Sequence, residues 1–369
     1  MAIKEDPVID CDVHNSWTSA EVLLDYLDPA FREYLDRGEI PGPRGAFPHA
    51  HRPWLHPEGF MRYDAVPPSG VTPGADLPFL AEQLLDRYSI DYAVLTGDES
   101  IEVSTLANPY YAQGGASAYN DWMIENWLSA DPRLRGSLSV APQNPQLAAA
   151  EIRRLGDHPD IVQVLVSSGS QRPYGDPFFH PIWEACAEYD LPFAAHLGGQ
   201  GGLNSTPIAC GPTTFFWETH ALLCETGMAH LGSTIAHGVF EKWPNARLIL
   251  IECGVAWVPP VLWRLDEDFR ALRKETPWLR RLPSEYARDH IRLTTQPLEV
   301  PNSPQALWPA LADIGAQDML MFASDYPHWD FDDPNFIRLP EDWREAVLDS
   351  NARSVYRLPA QEVVDELAG

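Results

Sequence analysis

The sequence predicts an α/β fold, a (β/α)8 TIM barrel with long insertions on its C-terminal face, and three observations carry that expectation. Short β-type runs alternate with helix-patterned segments along 369 residues, a length that single barrels commonly reach. Eight such runs can be drawn, the number that a closed parallel barrel needs. No glycine-rich phosphate turn follows the first of them, which disfavours the competing doubly wound open sheet.

The first run, VIDCDVH (8–14), is apolar yet sets Asp10, Asp12 and His14 two residues apart, so an extended chain presents all three on one face. On this strand alone, solvent would explain them. A Pro-, Gly- and His-rich segment over 36–80 then interrupts the alternation. A connection of that length is functional or disordered, and after strand one it is expected to arch over the barrel as a lid-like insertion. The runs DYAVLTG (91–97), RGSLSVA (135–141) and IVQVLVS (161–167) follow, with YNDWMIENWLS showing helical spacing among them. HPIWEACAEY is the helix leading to PFAAHLG (192–198), which ends in His196 and opens a second long loop, 198–212.

RLILIEC (247–253) ends in Glu252, and VLWRLDEDFRALRKE is helical in pattern. HIRLTTQ (290–296) begins with His290, which places that ring at the opposite end of the barrel. LMFASDY (320–326) brings Asp325, with His328 just beyond, and PEDWREAVLDSNA supplies a late helix. Leu248, Leu250 and Glu252 share a strand phase, as do Met319, Met321, Ala323 and Asp325, so two inward apolar rows are expected to end in carboxylates. Residues 1–369 read as one barrel domain.

Composition narrows the function. The chain carries 53 acidic and 26 basic residues, a net charge of -27 and a pI near 4.6, which would repel a phosphate backbone and argues against nucleic acid as a partner. No stretch is apolar enough to span a membrane and MAIKEDP lacks signal-peptide features, so a soluble, cytoplasmic protein is expected. Cys11, Cys186, Cys210, Cys224 and Cys253 are odd in number and scattered, as free thiols would be. The helix-rich exterior is compatible with a homodimer, although no residue marks an interface.

In a barrel of this type the C-terminal strand ends share one pocket, which gathers Asp12, His14, His196, Glu252, Asp325 and His328. Singly, His196 is an ordinary core histidine, Asp325 a helix cap and Glu252 a surface acid. Together, several buried carboxylates ask for a cation, and imidazole with carboxylate suits Zn, Mn or Fe, as one or two ions. Trp54, Phe60, Phe215, Phe216, Trp217 and Trp329 lie in or beside the proposed loops and either line an apolar pocket for a small-molecule substrate or pack loops onto the barrel.

The motifs DCDVH, LPFAAHLGG and FASDYPHWDFDDP resemble the metal-ligand motifs of the amidohydrolase superfamily. The likeness is to the amidohydrolase-2 branch, which also holds aminocarboxymuconate-semialdehyde decarboxylase and resorcylate decarboxylases. It continues through GVFEKWPNARLILIECGVAWVPPVLWRLD and RDHIRLTTQPLE, so it covers nearly the whole chain. The resemblance implies that Asp12, His14, His196 and Asp325 are metal ligands and that Asp10 supports them. Family members commonly carry H-x-H at strand one, and the acid at Asp12 is a known variation.

Two departures shape the functional expectation. Many relatives end strand six in a His that acts on metal-bound water, whereas ILIECG puts Glu252 there, able to act as a base or to join the metal. Dinuclear relatives often bridge their metals with a carboxylated lysine on strand four, but IVQVLVS has none, and only Lys4, Lys242 and Lys274 occur. Bridging would fall to Glu252 or an aspartate. The main expectation is a metal-dependent hydrolase or nonoxidative decarboxylase acting on a carboxylated, aromatic or acyl compound, with Glu252 as base and His328 orienting water or substrate. One alternative is a dinuclear non-haem iron monooxygenase hydroxylating a bulky apolar substrate, with His220, His230 or His237 as a further ligand. A second is an inactive ligand-binding barrel.

Overall fold

The computed structural model describes residues 7–36, 61–199, 209, 211, 213–222 and 224–359. Eight strands follow one another: β1 (Val8–Val13), β2 (Ile90–Leu95), β3 (Leu134–Ser139), β4 (Ile161–Ser167), β5 (Phe193–His196), β6 (Leu248–Ile251), β7 (Ile291–Thr294) and β8 (Leu320–Met321). Each pairs in parallel with the next in sequence order. The ring is joined between its first and last members: Cys11 N–H donates to Phe322 O at 2.9 Å and His14 N–H to Tyr326 O at 2.8 Å.

All eight expected strands are present, and their ends shift by a few residues. The largest change is at β8, whose ladder stops after Met321 because the next amides turn to other acceptors: Phe322 N–H to Val347 O, Ala323 N–H to Thr295 Oγ1 and Ser324 N–H to Asp10 Oδ1. Helices occupy the intervals, among them α1 (Pro109–Met123), α2 (Pro145–Leu155), α3 (His180–Tyr189), α4 (Phe216–Leu222), α5 (Cys224–Ala236), α6 (Val258–Leu272), α7 (Pro283–His290) and α8 (Asn351–Tyr356). Asn108 and Asn144 start α1 and α2 as caps whose side chains accept backbone N–H groups, each followed by Pro at the first helical position.

The core has two shells. Leu248, Leu250, Ile291 and Leu293 pack outward with Trp183, Phe240 and Leu262 from the helices. Ile9, Val94, Ala194, Ile249, Ile251 and Met321 form the inner shell with Ala352, Val355 and Tyr356 of α8. This corrects the phase expected for β6. Ile249 and Ile251 face inward, so Glu252 follows an inward residue and would point out by alternation. It is brought back by a left-handed backbone, φ 57°. On β8, Met321 is inner as expected, whereas Met319, just before the strand, packs in the outer shell.

Residues 61–76 of the 36–80 insertion lie across the C-terminal strand ends. Arg62 N–H donates to Pro327 O at 2.9 Å, Met61 pairs with His328, and Ser16 N–H donates to Gly74 O at 3.0 Å. Residues 37–60, with Trp54 and Phe60, and most of 200–212, with Cys210, lie outside the described residues, as does Lys4. Cys11, Cys186, Cys224 and Cys253 are free thiols. No helix among the described residues is long and apolar enough to cross a membrane.

Candidate metal centre

Asp12 and His14 reach the pocket from the end of β1, His196 from the last position of β5, and Asp325 from the turn after β8. Asp12 Oδ2 lies 3.3 Å from His196 Nε2, His14 Nε2 lies 2.9 Å from Asp325 Oδ1, and Asp12 Oδ1 is 3.5 Å from His14 Nε2. All four residues are buried. Asp325, like Glu252, sits in the left-handed region, φ 60°, a conformation that costs of order 1 kcal/mol or more unless its surroundings hold it.

The free atoms of this group define its chemistry. His14 Nδ1–H donates to Gly97 O and His196 Nδ1–H to Leu197 O at 2.6 Å, which turns each Nε2 into the pocket as the ring atom free to bind an ion. Asp12 Oδ2, His14 Nε2, His196 Nε2 and Asp325 Oδ2 are all buried without a hydrogen-bond partner. Four orphaned donors, two imidazole and two carboxylate, converging in a buried pocket fit a divalent cation. Thr96 Oγ1–H donates to Asp12 Oδ1 at 2.6 Å and orients that carboxylate.

The charges are mutually adjusted. Burial works against ionised Asp12, but His196 and His14 beside it hold its carboxyl below the usual range. Asp325 is likewise held low, burial being outweighed by His328 and His14. Burial and the His328 charge oppose protonation of His14, yet Asp12 and Asp325 raise its pKa to about 9. An ion binding here would take over the work of those protons. Asp10 is not one of the converging donors: its Oδ1 accepts from Ser324 N–H at 2.9 Å and Asp12 N–H at 3.3 Å, tying β1 to the chain after β8.

Glu252 and His328 flank the four. Glu252 Oε2 is 3.8 Å from His196 Nε2, and its backbone N–H donates to Thr294 Oγ1 at 2.9 Å. His328 holds Asp325 Oδ1 through Nδ1 at 2.7 Å and lies over the His14 ring, centroids 4.1 Å apart. A second donor group adjoins them: His220 Nε2 is 3.5 Å from Glu252 Oε1 and 3.4 Å from Asp330 Oδ2. Burial, then the charges of Asp325 and Glu252, push the Asp330 carboxyl up to about 7.

Of the three histidines considered as further ligands, His220 alone joins the site. His230 is locked in the fold, its Nδ1 accepting from Tyr174 N–H at 3.1 Å and its Nε2–H donating to Ser168 O at 2.7 Å. His237 is exposed at the end of α5. His290 lies at the far end of the barrel, as its place before β7 requires. Asp330 escaped sequence reasoning because it comes from an irregular turn, where no strand phase points it inward. Phe216 and Trp329 flank the His220 ring at 5.7 and 5.9 Å, whereas Phe215 and Trp217 stack on each other in solvent.

Comparison with known proteins agrees with this architecture. A gamma-resorcylate decarboxylase of Polaromonas sp. is 29% identical over 282 residues, covering 72% of this chain and 84% of the relative. A second, from Rhodococcus jostii, is 25% identical over 271 residues, 68% of this chain and 78% of the relative. Among solved structures, the 5-carboxyvanillate decarboxylase of Novosphingobium aromaticivorans, complexed with manganese and 4-hydroxy-3-methoxy-5-nitrobenzoic acid, superposes with a TM-score of 0.65 at 21% identity, covering 97% of this chain and 98% of that one. The family model described as Amidohydrolase matches residues 9–358, from β1 to just past α8, and the chain belongs to that family.

Proposed function

We propose that this protein is a divalent-metal-dependent decarboxylase of an aromatic carboxylic acid bearing ring oxygens. The observation that carries the reading is the set of four buried, unpartnered donor atoms on Asp12, His14, His196 and Asp325, on a chain whose curated relatives are gamma-resorcylate decarboxylases. These four residues would hold the ion, with manganese or zinc fitting the donor set. When bound, the ion supplies a Lewis acid for the substrate's oxygens.

The chain's own groups do the rest. Loss of carbon dioxide leaves an electron pair on the ring carbon, and a proton must be delivered there. Glu252 and His328 are the proton-handling groups at the pocket's edge, Glu252 set against His196 and His220, and His328 held by Asp325. Phe216 and Trp329 offer apolar surface to an aromatic ring beside them.

The second donor group, His220, Glu252 and Asp330, favours one other reading, a dinuclear non-haem iron oxygenase with Glu252 shared between two ions. A single experiment separates the two. Protein purified without added metal is assayed for metal identity and stoichiometry and then supplied with 2,6-dihydroxybenzoate or 5-carboxyvanillate under nitrogen. One manganese or zinc per chain with carbon dioxide release in the absence of oxygen is expected. Two irons per chain, with turnover that requires oxygen, would establish the second reading instead.

A further inference from the structure

The opposite end of the barrel carries a cavity of about 550 Å³ whose lining includes Arg247, Arg280, Arg281, Arg292 and His290. Four guanidinium groups at one place are unexpected in a chain with 53 acidic and 26 basic residues. Arg247 immediately precedes β6 and Arg292 lies in β7, so both belong to the barrel wall rather than to a mobile surface loop. Its volume lies within the range of small-molecule pockets.

The carboxylates of this cavity are already engaged. Glu241 accepts from Tyr286 O–H and pairs with Arg280 at 3.4 Å, and Asp289 pairs with Arg281. Arg247 reaches Asp190 at 2.9 Å, an acid that it shares with Arg357 at 2.8 Å. Arg292 has no carboxylate within ion-pair distance among the described residues. Its Nη1 is fixed by two carbonyls, Ile291 O at 2.8 Å and Arg288 O at 3.1 Å. The Nε atoms of Arg292 and Arg247 are both buried without a hydrogen-bond partner. Arg292 is half-buried; burial, and then the Arg247 charge, push its guanidinium below the ordinary range, and Asp318 and Asp289 offset this only in part.

We propose that this cavity is a binding site for a small multivalent oxyanion, phosphate or polycarboxylate in type, gripped by Arg292 and Arg247 and rimmed by Arg280 and Arg281. A planar guanidinium fork matches the oxygen spacing of both groups, and a multivalent anion neutralises two neighbouring arginines at once. The site bridges β6, β7 and α8, whose Ser354 and Val355 also line it, and it lies at the end of the barrel remote from Asp12 and His14.

Calorimetric titration of the metal-loaded full chain with inorganic phosphate, sulfate or tricarballylate, at constant ionic strength with chloride as the monovalent reference, tests this. Saturable one-to-one binding at least tenfold tighter than chloride is expected, and the tighter arm distinguishes a phosphoryl from a carboxylate ligand. Arg292→Gln is expected to weaken it at least tenfold with metal content unchanged, and Arg281→Gln, on the open rim, about threefold. Binding no tighter than chloride, or binding that Arg281→Gln and Arg292→Gln both leave unchanged, overturns the site. If Arg292→Gln does not fold, the Arg281→Gln result decides alone.

Discussion

At the residue scale, the proposed chemistry turns on Glu252. It stands between His196 at 3.8 Å and His220 at 3.5 Å, so it can serve one metal ion as a proton carrier or two as a shared ligand. Glu252→Gln keeps the shape and removes the charge. If the residue handles protons, kcat is expected to fall about 10² to 10⁴-fold with metal content unchanged. Loss of one of two ions on the same substitution, measured by elemental analysis, would instead mark it as a ligand. Much of this site is readable from the sequence, because Asp12, His14, His196 and Asp325 end strand-like runs and a barrel brings strand ends together. Glu252 was found for an incomplete reason: alternation from Ile249 and Ile251 would turn it away, and its left-handed backbone, which no periodicity encodes, turns it back. His220 could be named only as one of three helix-borne candidates with His230 and His237, and Asp330 was beyond such reasoning, since a short helix between loops and an irregular turn set their positions.

Two connections at the element scale deserve measurement. The turn after β6 is held by Glu299, whose Oε2 accepts from Val255 N–H at 2.9 Å and Ala256 N–H at 3.0 Å. Gly254 begins that turn at φ 68°, and a Cβ there would overlap Glu299 Oε1. Gly254→Ala is expected to cost about 1–3 kcal/mol in denaturant unfolding and to lower kcat, because the same turn carries Glu252. The second connection is His230 on α5, which burial holds at a pKa of about 4. Both ring nitrogens are committed, and a proton on Nδ1 would face the Tyr174 N–H. The unfolded ring takes up a proton near 6.5, so between about pH 6.5 and 4 the unfolded state binds more protons. Stability is therefore expected to fall as pH falls through that window, by up to about 3 kcal/mol from this residue. His230→Gln should flatten the slope of unfolding free energy there, and an unchanged slope would assign the acid sensitivity elsewhere. The strands themselves were legible as eight apolar runs. Their ends were not, as at β8, where competing acceptors such as Asp10 and Thr295 take the amides after Met321.

At the scale of the whole molecule, a net charge of -27 makes self-repulsion a standing cost of compactness. Raising salt from about 0.01 M to about 0.15 M shortens the screening length from about 30 Å to about 8 Å, and the melting temperature is expected to rise by a few degrees. A melting temperature independent of salt would show that the acids are compensated locally, as Asp131 is by Arg133. The architecture also joins the chain's extremes: Asp10 Oδ1 and the Ser324 amide, 314 residues apart, meet beside the pocket. Asp12 and His14 are synthesised more than 300 residues before Asp325. At about 5–20 residues per second the ribosome needs roughly 15–60 s to cover that interval. Throughout it the β1 side chains wait without their partner from the far side of the seam, so the ligand set proposed above is complete only once Asp325 has been made.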